Sequence, residues 1–231
     1  MNLVSLQLGR PRESVSHLTD GKDAEWVSSI WRTPTDERLH LGRTDLDGNA
    51  QADLKNHGGL DKAVCCYSAE HYPAWRSLLN LSKEEFGYGA FGENFTASEL
   101  TEDAVCLGDI YTLGTVTVQI SQPRMPCWKV GRRWERPKLP GEMTATGRTG
   151  FYLRVLTEGE VGAGDTLALR ERPLPEWTIA RVNFALYVDK NNAEMDQHLS
   201  RLPLLAEAWR RQFRRRAGLL KYRAELKETK P

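Results

Sequence analysis

The most constraining feature of this chain is the stretch from Val116 to Val130, which reads V-T-V-Q-I-S-Q-P-R-M-P-C-W-K-V. Its first part alternates between apolar and polar residues from Val116 to Ser121. A period of two predicts a half-buried β-strand. Pro123 and Pro126 each lack a backbone donor, so we expect the regular strand to end there and the chain to enter a stiffened loop.

This loop carries a cysteine beside a cation. Arg124 and Cys127 lie three residues apart, with Pro126 between them. A thiol held by flanking prolines near a positive charge suits a ligand of a soft metal or a nucleophile. A lone cysteine is more often a buried structural residue. From these residues alone, both interpretations remain open.

Length and composition limit the class of protein. The 231 residues allow one large domain or a domain with an appendage. The four cysteines form no C-x-x-C pair and no zinc-binding spacing, which favours a reduced, cytoplasmic protein. The N-terminal sequence lacks the features of a signal peptide, and no apolar segment is long enough to cross a membrane. We therefore expect no membrane partner.

The charge is unevenly distributed. From Arg201 to the end there are ten Lys or Arg against three Asp or Glu, although the whole chain carries a net charge of only +1. A basic helix can bind nucleic acid. A solvated face, or a contact with the acidic remainder of the chain, is the more common explanation. Nucleic acid is therefore not the expected partner.

Two further segments predict parts of a pocket. His57 is followed by Gly58 and Gly59, which let the backbone turn sharply and approach a ligand, and Lys62 adds a cation. The alternative is a tight turn into the strand that follows. In the glycine-rich loop from Gly87 to Asn94, the Asn94 amide can donate and accept hydrogen bonds.

The sequence does not decide the roles of two charged side chains, Glu93 and Arg148. Glu93 could be a proton donor or a structural acceptor. Arg148, in a glycine-containing turn, could direct its guanidinium at a phosphate.

The pattern of short segments predicts the architecture. Short strands separated by glycine-aspartate turns indicate a barrel-like β-rich domain, with one helix from Ser68 to Leu79. Arg132 to Thr146 is expected to be a short helix or a mobile loop. After a proline-marked linker at 172–177, three helical segments follow, the last opening at Pro203. We predict an α+β fold with domains at residues 1–172 and 173–231.

The chain resembles the MOSC domain family, which is related to the C-terminal domain of molybdenum cofactor sulfurases, and in particular its YiiM-type branch with a small C-terminal three-helix domain. The resemblance covers nearly the whole chain and rests on the Val116–Val130 stretch together with four motifs in order. These are N-H-G-G-L-D-K-A-V at 56–64, F-G-E-N-F at 91–95, L-G-D-I-Y at 107–111 and G-R-T-G-F-Y at 147–152.

The resemblance implies a cofactor and its ligands. In the family, molybdenum bound to molybdopterin occupies the pocket and a cysteine of this loop ligates the metal. Carried over by motif, Cys127 is the metal ligand and catalytic residue, and the metal favours its deprotonation. Cations of fixed geometry suit the pterin phosphate. The expected cofactor-binding residues are His57, Gly58, Gly59, Lys62, Asn94, Ser121, Arg124 and Arg148.

The resemblance also implies a reaction, the reduction of N-hydroxylated compounds such as hydroxylamines, N-hydroxylated nucleobases and amidoximes. A second interpretation is a sulfur-transfer or cofactor-carrier module that uses Cys127 as a persulfide or ligand. A third is a protein that binds nucleic acid through its basic tail.

Reduction requires electrons, and the chain shows no dinucleotide, iron–sulfur or haem motif. We therefore expect a separate reductase or a flavodoxin- or ferredoxin-like donor. The run 210–216 could dock such a donor or simply solubilise the last helix. The number of subunits stays open, with a homodimer among the alternatives.

Overall fold

A computed structural model of the protein describes residues 1–16 and 24–228. The sequence also predicts a strand between Asp20 and Trp31, since Trp26, Val27 and Ile30 can pack; it is observed as Ala24–Ser28, and residues 20–23 lie outside the described part. Within that part the strands are β1 Leu3–Leu8, β2 Arg12–Ser16, β3 Ala24–Ser28, β4 Thr33–Thr35, β5 Leu39–Leu41, β6 Val64–Ser68, β7 Phe95–Ala97, β8 Ile110–Leu113, β9 Val116–Pro123, β10 Phe151–Thr157, β11 Gly159–Val161 and β12 Ala168–Glu171.

Eight of these strands form one curled sheet that resembles a half-barrel, in the order β12-β8-β9-β10-β6-β7-β1-β4. All neighbours pair antiparallel except β6 and β7, which are parallel because a helical crossover connects them. The central strand β9 ends at Pro123, as the two prolines predict. The barrel-like α+β fold expected from the sequence is confirmed.

The helices among the described residues are α1 Tyr72–Leu79, α2 Trp128–Arg133, α3 Leu139–Thr146, α4 Ile179–Tyr187, α5 Ala193–Leu199 and α6 Glu207–Glu228. Short 3₁₀ turns occupy Leu60–Lys62 and Ala69–His71. The segment expected as one short helix or a mobile loop at 132–146 forms parts of two helices, α2 and α3. No helix in the described ranges is long and apolar enough to span a bilayer.

Three hydrophobic clusters hold these elements together. The largest packs aliphatic side chains from β1, β6, β9 and β10 together. A second, mostly aromatic, packs α1, α2 and α3 around the loop that contains Phe91. The third lies among α4, α5 and α6, where Leu205, Trp209 and Phe213, spaced four residues apart, are fully buried. Burial of this aromatic and aliphatic surface is the main stabilising contribution.

Side-chain caps begin two of the C-terminal helices, and the start of the third corrects a prediction. The Thr178 hydroxyl accepts a hydrogen bond from the Arg181 amide, and Asn192 caps α5 in the same way. The last helix was expected to open at Pro203, which is wrong, because α6 begins at Glu207. The preceding Ala206 amide instead donates to the carbonyl of Ser121 in β9, at 2.9 Å. The boundary between residues 172 and 173 stays a prediction.

Candidate functional site

The candidate site lies where β9 ends and the chain turns into α2. An inner cavity of about 50 Å³ opens there into an outer groove of about 810 Å³. Ligand pockets in proteins commonly measure roughly 300–1,000 Å³, so only the groove has room for a cofactor or substrate of ordinary size. Six residues line both spaces and mark their junction: Asp53, His57, Lys62, Cys127, Lys129 and Tyr152.

The structure brings together most of the predicted site residues. Those that line the inner cavity are His57, Gly58, Lys62, Asn94, Arg124 and Cys127. Gly58 and Gly59 have φ values of 100° and 87°, so the sharp turn predicted at this glycine pair is confirmed. The Asn94 amide is already engaged by the backbone, since its oxygen accepts from the Cys65 amide at 3.3 Å.

Three predicted residues do not line either space. Gly59 lies just outside the cavity wall. The buried Ser121 hydroxyl has the carbonyls of Asp61 and Tyr152 as acceptors for its one proton, at 2.6 and 3.0 Å, and thereby ties β9 to its neighbours. Arg148 is half-buried, and its carbonyl accepts a hydrogen bond from the Tyr67 hydroxyl at 2.9 Å.

Arg124 is a buried cation without an acidic partner. Its side chain is 6% exposed, and its Nη2 donates to the carbonyl of Phe91 at 2.6 Å. Its Nη1 has no hydrogen-bond partner, and the guanidinium forms no ion pair, among the described residues. An uncompensated buried charge is unfavourable, so this cavity is suited to an anion.

The charge of the inner cavity agrees with that conclusion. Four cationic side chains and one carboxylate, that of Asp53, line it. Two of the cations come from segments distant from the Arg124 loop. Arg32 donates to the carbonyl of Gly92 at 3.1 Å, and burial lowers its pKa from the usual value. Lys62 donates to the carbonyl of Asn56 at 2.8 Å, and burial likewise lowers its pKa.

The Gly87–Asn94 loop positions Arg32 and Arg124 through the carbonyls of Gly92 and Phe91, and Glu93 organises the loop. The fully buried Glu93 carboxylate accepts hydrogen bonds from the amides of Gly89 and Phe91, at 2.7 and 3.2 Å, and from the hydroxyls of Tyr72 and Thr96. It lines neither the cavity nor the groove. The structure therefore favours the structural interpretation of Glu93 over that of a proton donor.

His57 is neutral at physiological pH. Burial, followed by the nearby charges of Arg124 and Lys129, lowers the pKa of His57 to about 4. Hydrogen bonding from Asn56 lowers the pKa of Asp53, which keeps that carboxyl ionised beside the histidine. His57 can therefore donate and accept hydrogen bonds at the junction without adding to the positive charge.

Cys127 is the half-buried residue that precedes α2, whereas Cys65, Cys66 and Cys106 are buried. Its side chain lines both the inner cavity and the groove. Across the ranges that the structure describes, no group of three or more His, Cys, Asp and Glu side chains could hold a metal ion. A metal at this site would therefore need most of its ligands from a cofactor, with Cys127 as the protein's thiolate donor.

The groove is bounded by surfaces from two parts of the fold. Trp26 of β3 and Trp128 of α2 line it, with ring centroids 5.6 Å apart. Three residues of α6 also line it, namely Ala208, Trp209 and Gln212. The buried Gln122 also lines the groove, and its Oε1 has no hydrogen-bond partner among the described residues.

Sequence reasoning missed several of these residues. Lys129 could have been found from its position two residues after Cys127. Tyr152 could have been found from the G-R-T-G-F-Y motif, of which it is the last residue. Arg32 has no local signal, because it reaches the cavity only through the packing of distant segments. The contribution of α6 to the groove is equally a product of tertiary packing.

Comparisons with known proteins identify the family. The MOSC domain model matches residues 53–168, and the model of the YiiM-like, 3-alpha helix domain matches residues 177–216. YflK of Bacillus subtilis is 39% identical over 219 residues, which cover 95% of this chain and 96% of YflK. A protein of Gibberella moniliformis named "Reductase" is 33% identical over 78% of this chain, which spans 32% of that longer protein.

A solved structure shows the same arrangement. The crystal structure of YiiM from Geobacillus stearothermophilus superposes with a TM-score of 0.77 at 36% identity, covering 94% of this chain and 98% of that one. Both the half-barrel and the C-terminal helices are therefore common to the two proteins. The chain belongs to the MOSC domain family, in its YiiM-type branch.

Proposed function

We propose that the protein is a molybdenum-cofactor-dependent reductase of N-hydroxylated compounds, such as hydroxylamines, N-hydroxylated nucleobases and amidoximes. The observation that carries this proposal is the placement of the half-buried Cys127 thiol at the mouth of a cavity lined mainly by cations. A soft donor and an anion-binding wall in one site match a metal held by an anionic organic ligand.

The residues present fit such a cofactor. Arg124, buried and without an anionic partner, would bind its phosphate or another anionic group, assisted by Lys62 and Lys129. Cys127 would provide the thiolate ligand to molybdenum. Because the inner cavity is too small for a pterin, the cofactor would extend into the groove.

When bound, the cofactor would supply the two-electron reduction of the substrate's N–O bond. The overall change, R–NH–OH plus two electrons and two protons to R–NH₂ and water, also requires protons at the groove. Lys62 holds a proton on its Nζ, and neutral His57 can relay a proton between its two ring nitrogens. Both residues lie at the junction, beside Cys127.

The comparisons support the reaction class at a coarser level. The Gibberella moniliformis relative carries the name "Reductase". Residues 53–168 match a domain whose family includes molybdenum cofactor sulfurases. The N-hydroxylated substrate class and the cofactor remain proposals.

The test combines metal analysis with an assay. Protein purified from a host that makes the cofactor should contain molybdenum and reduce hydroxylamine and benzamidoxime with reduced methyl viologen. Cys127→Ala should lose the activity and at least most of the metal. The matched control is Cys106→Ala, since Cys106 is a buried cysteine that does not line the site. Full molybdenum in Cys127→Ala would refute the ligand assignment.

The sulfur-transfer alternative uses the same thiol and is separated by another measurement. A half-buried cysteine that opens onto a groove can carry a persulfide. Stoichiometric cyanide-releasable sulfur on Cys127, in protein without reductase activity, would favour the carrier function over the reductase.

A further inference from the structure

Two guanidinium groups of the inner cavity are bound to consecutive carbonyls of one loop. Arg124 donates through Nη2 to the Phe91 carbonyl at 2.6 Å, and Arg32 donates through Nε to the Gly92 carbonyl at 3.1 Å. Both arginines line the cavity. The Nη1 of Arg124 and the Nη2 of Arg32 make no hydrogen bond to any residue that the structure describes. Each cation therefore keeps N–H donors that are not used by the protein.

An asparagine amide separates Arg32 from a carboxylate. The Nη1 of Arg32 donates to the Oδ1 of Asn49, and the Nδ2 of Asn49 donates to the Oδ1 of Asp45. The same carboxylate oxygen accepts a hydrogen bond from the Leu46 amide at 2.9 Å. In the described ranges, 1–16 and 24–228, the Arg32 guanidinium forms no ion pair. Arg32 is thus held in place without being neutralised by direct contact.

The carboxylate decides which end of the Asn49 amide faces Arg32. A carboxylate only accepts hydrogen bonds, so the NH₂ end of the amide has to face Asp45 and its oxygen has to face Arg32. The same oxygen also accepts from the Gly9 backbone amide at 2.9 Å, which fixes the orientation a second time. A reversed amide would place its NH₂ group against the guanidinium. Asp45 therefore orients Arg32 through Asn49.

The backbone leaves space for the Arg32 side chain at Gly9. A Cβ atom at this position would lie 2.9 Å from the Cδ and 3.0 Å from the Nη1 of Arg32, and 2.6 Å from the Ser29 carbonyl oxygen. Contacts this short would displace the guanidinium or the backbone, so only glycine allows this close approach. Gly9, Asn49 and Gly92 together thus define the position of Arg32 at the cavity.

We propose that Asp45 and Asn49 are positioning residues that hold Arg32 as the second guanidinium of the anion site, so that the cavity binds a doubly charged oxyanion such as a phosphate monoester. The interposed amide preserves the positive charge of Arg32, whereas a carboxylate in direct contact would neutralise it. All three residues precede residue 53, where the MOSC match begins. The inference rests on the proposed function, because the oxyanion would be the phosphate of the cofactor.

The test exchanges the amide and the carboxylate. The double variant Asp45→Asn/Asn49→Asp keeps the net charge and both side-chain types but places a carboxylate directly against Arg32. Binding of inorganic phosphate to cofactor-free, full-length protein is measured by calorimetric titration at pH 8, where phosphate is mainly doubly charged. The Kd should rise about ten-fold, and Arg32→Gln should raise it at least as much. Binding of nitrate, which carries one charge, should weaken less, because Arg124 alone can satisfy it.

The C-terminal helices provide a matched control. The Nδ2 of Asn192 donates to the Asp189 carboxylate at 2.9 Å, and its Oδ1 accepts from the Met195 amide at 2.9 Å, so this pair has the same arrangement outside the site. The exchange Asp189→Asn/Asn192→Asp should leave phosphate binding unchanged. Thermal unfolding of both exchange variants checks that the fold is retained. A network that served only the fold would tolerate either exchange, since amide and carboxylate can remake their hydrogen bond.

Three results would overturn the inference. Unchanged phosphate affinity in the Asp45/Asn49 exchange would make the network structural only. Equal weakening in both exchanges would show a general defect, and no phosphate binding to the original protein would remove the anion site. If the Asp45/Asn49 exchange did not fold, Arg32→Gln would decide, because normal phosphate affinity in that variant contradicts the proposal.

The proposed function fails by a different result. A protein that binds phosphate with these effects, yet neither retains molybdenum nor reduces hydroxylamine, would refute the reductase and leave the role of Asp45 and Asn49 intact.

Discussion

The inner cavity and the outer groove differ in how their side chains are held. In the cavity, Arg124 and Asn94 are almost fully buried and bonded to the backbone of distant segments. In the groove, Trp128 and Gln212 are exposed and make few polar contacts. Substitutions in the cavity should therefore disturb the fold and the cofactor together, whereas substitutions of the exposed groove residues should leave the fold intact.

The same difference separates the two domains electrostatically. The MOSC domain keeps cations unpaired at its cavity, where they can bind an anion. The C-terminal helices neutralise several of theirs, since Arg216 binds the buried Asp196, and both Arg210 and Arg214 pair with Glu207. Part of the basic run is thus structural, which reduces its capacity to bind nucleic acid or a protein donor.

The largest effect is expected at Arg124. Arg124→Met removes the buried charge available to an anion, which should weaken cofactor binding by about 4 kcal/mol, roughly a thousand-fold. The control Arg133→Met removes a half-buried arginine that donates to the carbonyls of Ile30 and Gly89 but does not line the site. Molybdenum content should collapse in the first variant and persist in the second; equal loss in both would make Arg124 a structural residue only.

A substitution at Asp196 tests whether the C-terminal helices can be destabilised without affecting the molybdenum site. Asp196→Asn breaks the buried pair with Arg216 and should lower the free energy of unfolding of the C-terminal helices by about 3 kcal/mol. Thermal unfolding should start earlier, while molybdenum content and hydroxylamine reduction at 25 °C are retained. The exposed Glu194→Gln, on the same helix, is the control. Loss of molybdenum in Asp196→Asn would show that the cofactor site depends on the stability of the C-terminal helices.

Much of this fold was predictable from local sequence. Strict alternation and two prolines predicted both the course of β9 and its end at Pro123, because each acts on the backbone directly. The helix predicted from Ser68 to Leu79 is observed as a 3₁₀ turn followed by α1, which begins at Tyr72. The start of α6 was missed by four residues because a tertiary hydrogen bond, from Ala206 to Ser121, competes with helix formation there.

The candidate site was predictable only where it is contiguous in sequence. Residues of the 56–62 and 124–127 segments meet at the cavity, and both segments belong to the sequence motifs that predicted the pocket. The packing of the whole domain buries Arg124 without an anionic partner. The same packing brings Arg32, which lies between β3 and β4, to the cavity. The residues of α6 reach the groove in the same way.

A smaller effect is expected from the titration of His57. Because its pKa is about 4 in the folded protein and about 6.5 when unfolded, the unfolded chain takes up a proton first as the pH falls. Stability should thus be unaffected above pH 6.5 and decline between pH 6.5 and 4, by on the order of 2 kcal/mol from this group.

The measurement is urea unfolding of cofactor-free protein at pH 7 and 4.5. His57→Gln should lose less stability between these conditions than the original protein, whereas His40→Gln, at a partly exposed position outside the site, should lose as much. Identical losses in all three proteins would show that His57 is not the responsible group.

The smallest effect concerns the electron donor. Arg211 and Arg215 are exposed, are not in the ion pairs seen among the described residues, and share one helix face with Ala208 and Gln212 at the groove. An acidic flavodoxin- or ferredoxin-like protein could approach there. Reversing both charges to glutamate should slow reduction by such a donor about five-fold at low salt, since exposed charges mainly affect the rate of encounter.

The salt dependence and a small reductant complete this test. The difference should shrink at high ionic strength, and turnover with a small neutral reductant should not change. Arg201→Glu, an exposed reversal outside the run, is the matched control. Equal slowing with the protein donor and the small reductant would place the effect in the groove instead. Arg211 and Arg215 share a helix face with the groove-lining residues of α6, so a shift of the helix would narrow the groove.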